Sequence, residues 1–142
     1  MNALIDSNVL LDVFLNRSPF VREAIELLVL AEHGFRAFVS ASAITDIYYI
    51  ARKAIKDSSI VKSKLRRLLD VVRVAGVSEN EIFAALDSGW DDFEDAVQNA
   101  VAESNGFDAI VTRDPDGFSG AVVPVYSPKD FLNKFASPQQ GA

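Results

Sequence analysis

Four carboxylates stand at separated places in the chain, each just after a short apolar run or inside a helix-patterned one. They are Asp6 in ALIDSNVLLD, Asp46 in FVSASAITDIYY, Asp95 in WDDFEDAVQNA and Asp114 in AIVTRDPDGF. Asp6 and Asp114 follow the runs Ala3 to Ile5 and Ala109 to Val111, which read as buried strands. In an open α/β sheet the crevice beyond the strand ends is where ligands bind, so four distant stretches could converge on one acidic pocket. Carboxylates clustered in a dry site cannot all stay ionised without a cation, and oxygen donors suit hard ions such as Mg²⁺ or Mn²⁺. The chemistry expected of such a pocket is divalent-metal chemistry.

Each acid also has a plainer explanation. Asp6 in a strand-to-helix turn can be a helix N-cap, and Thr112-Arg113-Asp114-Pro115-Asp116-Gly117 can be a polar turn and nothing more. Asp46 lies among Ile44, Ile47 and Tyr48, where an unpaired carboxylate is costly unless it faces a cleft or a partner. Asp92, Asp95 and Asn99 share one helical stripe, and Asp91 with Glu94 forms a capping-box-like pair at its start.

The elements that would position these acids alternate strand and helix. Strands are expected at Ala3 to Ile5, around Phe38 and Val39, at Val71 to Val74, at Ala109 to Val111 and at Val122 to Val125, where Pro124 requires a sheet edge. Helical spacing links Val9, Leu10, Val13 and Phe14; further helices are expected after Ser18-Pro19, Ser42, Ser58 or Ser59, Ser78, Asp91 and Ser127-Pro128. This alternation predicts a mostly parallel sheet with helices on both faces. With 142 residues, one domain over residues 1–136 is expected, and the ending 137–142 reads as an unstructured tail.

Composition narrows the chemistry. Cysteine is absent, which excludes disulfides, thiolate metal sites and a cysteine nucleophile; the single histidine, His33, reads as a helix-end or surface residue. The longest apolar stretch, AIELLVLA, is far shorter than the roughly 20 residues that cross a bilayer, and no secretion signal is read at the start, so a cytoplasmic protein is expected. Net charge is −6 but uneven: eight of the 14 basic residues lie between Arg52 and Arg73, and eleven acids against Arg113 alone lie between Glu79 and Asp116. One face could attract phosphates while another holds metal, although a basic run is also an ordinary solvated helix face.

The four acidic segments, in this order, resemble a known family. LIDSNVLLDVFLNR is similar to the opening strand and turn of PIN domain nucleases, particularly the bacterial VapC-like toxins; ITDIYYIARK, DFEDAVQNAVAESNGFDAIVTRD and PVYSPKDFL resemble its later segments. The resemblance covers about residues 3–132. It implies a three-layer α/β/α sandwich with a central, mostly parallel, twisted sheet of four to five strands, and metal-dependent hydrolysis of RNA. It also implies catalytic acids at Asp6, Asp46, Asp95 and Asp114, a metal held by Asp6, Asp95 and Asp114 with Asp92 beside them, and supporting roles for Asn8, Thr112 and Asp116. Arg113, Arg52, Lys53 and Lys56 are candidates for holding the RNA. The family's second acid is most often Glu, so the shorter Asp46 is expected to reach a metal through water. A cognate antitoxin and a homodimer are the partners implied. A non-catalytic RNA-binding module and a structure-specific DNA nuclease are the alternative readings.

Overall fold

The computed structural model describes residues 1–136; the expected tail at 137–142 lies outside the described residues. The chain runs β1 (Asn2–Ile5), α1 (Ser7–Phe14), α2 (Val21–Ala31), β2 (Arg36–Ser40), α3 (Ala41–Ala54), α4 (Ser58–Leu68), β3 (Val72–Ala75), α5 (Glu79–Asp87), α6 (Phe93–Ser104), β4 (Ala109–Val111), a 3-10 turn (Pro115–Phe118), β5 (Val125–Tyr126) and α7 (Pro128–Phe135). The five strands form one sheet in the order β3-β2-β1-β4-β5, and every pairing is parallel.

Alternation along β1 explains the three layers. Ala3 and Ile5 face a core built with Val9 and Leu10 of α1, Leu27 of α2, Ile47 of α3, Val61 of α4 and Phe131 of α7. Leu4 faces the opposite core, with Ile110, Ala85 of α5, and Ala96, Val97 and Val101 of α6. Both sides of the central strand are therefore apolar, as the unbroken run Ala-Leu-Ile requires of a parallel strand covered on both faces.

The helix starts follow local chemistry, but α3 and α4 are capped one or two residues earlier than expected, by Ser40 and Asp57 and not by Ser42 and Ser58 or Ser59. Ser40, Asp57 and Ser127 accept hydrogen bonds from the first-turn N–H groups of α3, α4 and α7. The expected Asp91–Glu94 box does not form: Asp92 is the N-cap of α6, accepting from the Asp95 N–H at 3.0 Å, which frees Glu94. The reciprocal pair sits instead at α5, where the Ser78 N–H donates to Glu81 at 2.7 Å. The fifth strand is shorter than expected and begins after Pro124, whose carbonyl still accepts from the Ile110 N–H at 2.9 Å. Proline thus joins the sheet edge without a donor being missed. Among the described residues no helix is long and apolar enough to cross a membrane.

Candidate active site

The strand order places a topological switch at β1: the chain goes to β2 and β3 on one side and returns to β4 on the other. Because Ile5 pairs with Val111, the residues that leave the two strands, Asp6 and Thr112, emerge side by side. Asp6 is only 5% exposed. Its Oδ2 accepts from the Thr112 hydroxyl at 2.7 Å, and its Oδ1 accepts from Gln98 Nε2 of α6 at 2.9 Å. The Thr112 oxygen in turn accepts from the Asp114 N–H at 3.1 Å, while Asn8 Oδ1 accepts from the Arg113 N–H at 3.3 Å. One carboxylate is thereby locked to the turn that carries the next.

The first turn of α6 brings Asp92 and Asp95 to the same place, where a cleft of about 460 Å³ is lined by Asp91, Asp92, Asp95, Asp114, Gly117 and Trp90 among others. Gly117 shows how close the acids stand. A Cβ on it would lie 2.8 Å from Asp114 Oδ2 and 3.3 Å from Asp95 Oδ2. Gly117→Ala is expected to push both carboxylates apart and reduce activity by about tenfold or more while shifting the melting temperature little, since flexible carboxylate ends can move aside. Paired activity and melting measurements check this; wild-type activity would show that the carboxylate positions are immaterial.

The charge in the cleft is not compensated. Among the described residues no Lys or Arg lines it. Burial, helped by the charges of Asp6, Asp92 and Asp114, pushes Asp95 up to about 7. Glu94 rises to about 8, chiefly because it hydrogen-bonds Asp46 across from α3, with burial and the charges of Asp46, Asp6 and Asp92 adding to the effect. Two carboxyl groups that hold protons near neutrality are what a crowded anionic site produces in the absence of a cation.

Comparison with known proteins decides the family. Residues 2–116 match the PIN domain family. The chain belongs to the PIN domain family. The closing segment PVYSPKDFL lies beyond the matched residues. This PIN domain is 23% identical over 121 residues to Ribonuclease VapC1 of Aquifex aeolicus (strain VF5), a match covering 81% of this chain and 83% of that protein. Its fold is similar to a chain of a toxin-antitoxin complex from Klebsiella pneumoniae, with TM-score 0.67, 22% identity and coverage of 89% and 97% of the two chains. It is also similar to FitAcB from Neisseria gonorrhoeae, with TM-score 0.68, 18% identity and coverage of 89% and 98%.

Of the residues singled out from sequence, the structure of this PIN domain brings Asp6, Asn8, Asp92, Asp95, Thr112 and Asp114 to one end of the sheet. Asp46 comes to the group through Glu94, which is free of the expected capping box. Asp116 is exposed on the 3-10 turn and does not line the cleft. Three of the four basic candidates make contacts within the fold. Arg113 Nε lies 2.8 Å from Asp12 Oδ2 with its guanidinium 3.9 Å from the Phe20 ring centre. Arg52 donates to the Lys56 carbonyl and Lys56 Nζ to the Lys53 carbonyl at 2.8 Å, so they close the end of α3, while Lys53 is exposed.

Gln98 was missed by sequence reasoning. It is wholly buried, holds Asp6, and leaves its own Oε1 without a partner. Its only sequence signal is its position three residues after Asp95, on the helix face next to it. Gln98→Leu removes the unpaired oxygen but also the donor to the buried Asp6 Oδ1, so it is expected to cost no more than about 1–2 kcal/mol in thermal melts while lowering activity by about 10- to 100-fold through a less constrained Asp6. A much larger loss of stability, accounting for the whole loss of activity, would show a packing role only.

The donor set fits a hard divalent ion: it is all oxygen, carries excess negative charge and faces no base. Among the described residues no three acidic or histidine side chains already stand close enough to hold one ion. Binding therefore calls for carboxylate rotation from the arrangement seen here.

Proposed function

We propose that this PIN domain, a single domain over residues 1–136, is a metal-dependent endoribonuclease using Mg²⁺ or Mn²⁺ and the toxin half of a toxin-antitoxin pair. The observation that carries the reading is the uncompensated cluster of Asp6, Asp95 and Asp114 at the switch between β1 and β4, with Asp92 at its edge. These four residues would hold the ion. When bound, a hard divalent ion supplies Lewis-acid polarisation of a phosphodiester and a lowered pKa for water. Thr112 and Gln98 fix the Asp6 carboxylate by donating to its two oxygens. The Glu94 carboxyl, hydrogen-bonded to Asp46 and titrating at about 8, holds a proton at neutral pH and suits general acid–base work. Asn8 supports the turn that carries Asp114 through the Arg113 N–H.

The relation to a ribonuclease and to chains from toxin-antitoxin complexes supports the substrate class and an antitoxin partner, and we include a homodimer in the same reading. Purified protein should cleave single-stranded RNA with Mn²⁺ or Mg²⁺ and stop in EDTA; cleavage untouched by EDTA would overturn the metal assignment. Growth arrest on expression, relieved by a co-encoded small protein, tests the toxin role, and light scattering tests the dimer. The absence, among the described residues, of three acids at a shared ligating distance favours one second reading, a non-catalytic RNA-binding module. Calorimetry that detects RNA binding without Mn²⁺ uptake would select it.

A further inference from the structure

Asp12 is a charged side chain with no place in the chemistry above. It lies on α1, six residues beyond Asp6, and its side chain is 1% exposed. Its partners are Arg113 Nε at 2.8 Å and, more distantly, Arg17 at 3.7 Å. The Arg113 contact is close but poorly aligned for a hydrogen bond, so Asp12 is held chiefly by charge. Sealing an ion pair in a core adds little net stability compared with apolar residues of the same volume. The pair must therefore be explained by what it holds in place.

What it holds is the turn beside the acidic cleft. Arg113 stands between Thr112, whose hydroxyl grips Asp6, and Asp114. It is fastened at three points: the Asp12 carboxylate, the face of Phe20, and Asn8, which accepts from its N–H. Asp114 itself is exposed; its N–H donates to Thr112 and its carbonyl accepts from the Gly117 N–H at 3.1 Å, but among the described residues no hydrogen bond holds its carboxylate. With its neighbours loose, the Asp114 carboxylate would sweep a wide arc.

We infer that Asp12 is a positioning residue: by clamping Arg113 against Phe20 it fixes the Thr112 to Asp114 turn and hence the Asp114 carboxylate. The consequence for catalysis rests on the nuclease reading above; the clamp does not. Arg113 then serves the site from behind, through the backbone, and not by touching RNA.

The test combines local amide hydrogen exchange, followed by mass spectrometry, with a double-mutant cycle on the full chain. Asp12→Asn keeps the shape and removes the charge. It is expected to speed exchange in the peptide covering residues 112–117 while exchange in β1 and β2 stays at the wild-type rate. It should lower kcat by about 10- to 100-fold with KM for RNA changed by only about twofold, the behaviour of a positioning defect. Arg113→Gln should do the same, and the double variant should be no worse than the poorer single one, because both break one contact. Exchange in the turn at the wild-type rate, equal acceleration throughout the sheet, or losses that multiply in the double variant would each overturn the proposal. If Asp12→Asn does not fold, Arg113→Gln and Arg113→Lys decide it: exchange in the turn must rise more for Gln, which has no charge to offer Asp12, than for Lys. A wild-type protein that cleaves no RNA would remove the nuclease reading, and the exchange measurement alone would then decide the clamp.

Discussion

Asp6→Asn is expected to lower RNA cleavage by about a thousandfold. A metal-binding carboxylate contributes several kcal/mol to transition-state stabilisation, and about 4 kcal/mol corresponds to three powers of ten. The substitution keeps the size of the side chain but not its acceptors. Both Asp6 oxygens now accept, one from Thr112 and one from Gln98, whereas asparagine offers one acceptor and presents an N–H₂ group to the other donor. About 1–2 kcal/mol of stability should be lost from that mismatch, far too little to unfold a typical domain. The variant should also leave a signature that needs no metal: with the Asp6 charge gone, the Asp95 carboxyl titrates below its present value of about 7, because Asp6 is one of the charges that raise it. Single-turnover cleavage, a melting curve and a carbon-detected titration of Asp95 together check the expectation. Activity within about tenfold of wild type would remove Asp6 from the metal set.

Much of this geometry could be read from the chain before any coordinates. The runs Ala3 to Ile5 and Ala109 to Val111 are too short and too apolar to be anything but strands covered on both faces, and the residues that end them meet because those strands are neighbours. The Asp92 and Asp95 spacing likewise gave one helix face. What escaped has a common cause. Gln98 meets Asp6 across 92 residues, and whether it or Asn99 faces the sheet depends on how Val97 and Val101 seat α6 against β1 and β4, a tertiary matter. Glu94 had a sufficient local explanation in a helix cap, so nothing in its neighbourhood pointed to Asp46 on another helix. The contacts of the basic residues were hidden for a related reason. Charge counts along a sequence record where cations are, not which acid they meet, and the Arg113 partner lies about a hundred residues away on α1. Local signals placed the elements; long-range pairing chose the partners.

The crowding of the acids should make the metal-free protein less stable as pH rises. Asp95 and Glu94 titrate at about 7 and about 8 in the folded chain, against 3.8 and 4.5 as ordinary carboxyl groups. Both are raised, so the folded state binds these protons more tightly than the unfolded state, and the stability they bring is complete below the ordinary carboxylate range. It drains away as pH climbs through the interval up to about 8. Glu81 and Asp57, held down by hydrogen bonds from Ser78 and Ser59, act with the opposite sign at lower pH, and stability is lost there as they become protonated. In EDTA the melting temperature should therefore peak near the ordinary carboxylate range and decline from about pH 5 to about pH 8, levelling off above that. After discounting for the solvent that reaches the cleft, the Asp95 contribution is about 1–2 kcal/mol, or roughly 5 °C for a chain of this size. Saturating Mn²⁺ should reverse the trend, because an ion replaces the protons and releases them on binding; the metal-induced rise in melting temperature should then be larger at the alkaline end. Asp95→Asn, which cannot ionise, should remove its own share of the decline, leave that of Glu94, and abolish most of the Mn²⁺ response. A metal-free melting temperature that stays level or climbs over the same interval would mean that these carboxylates do not repel one another in solution, and the electrostatic case for a bound cation would fall with it.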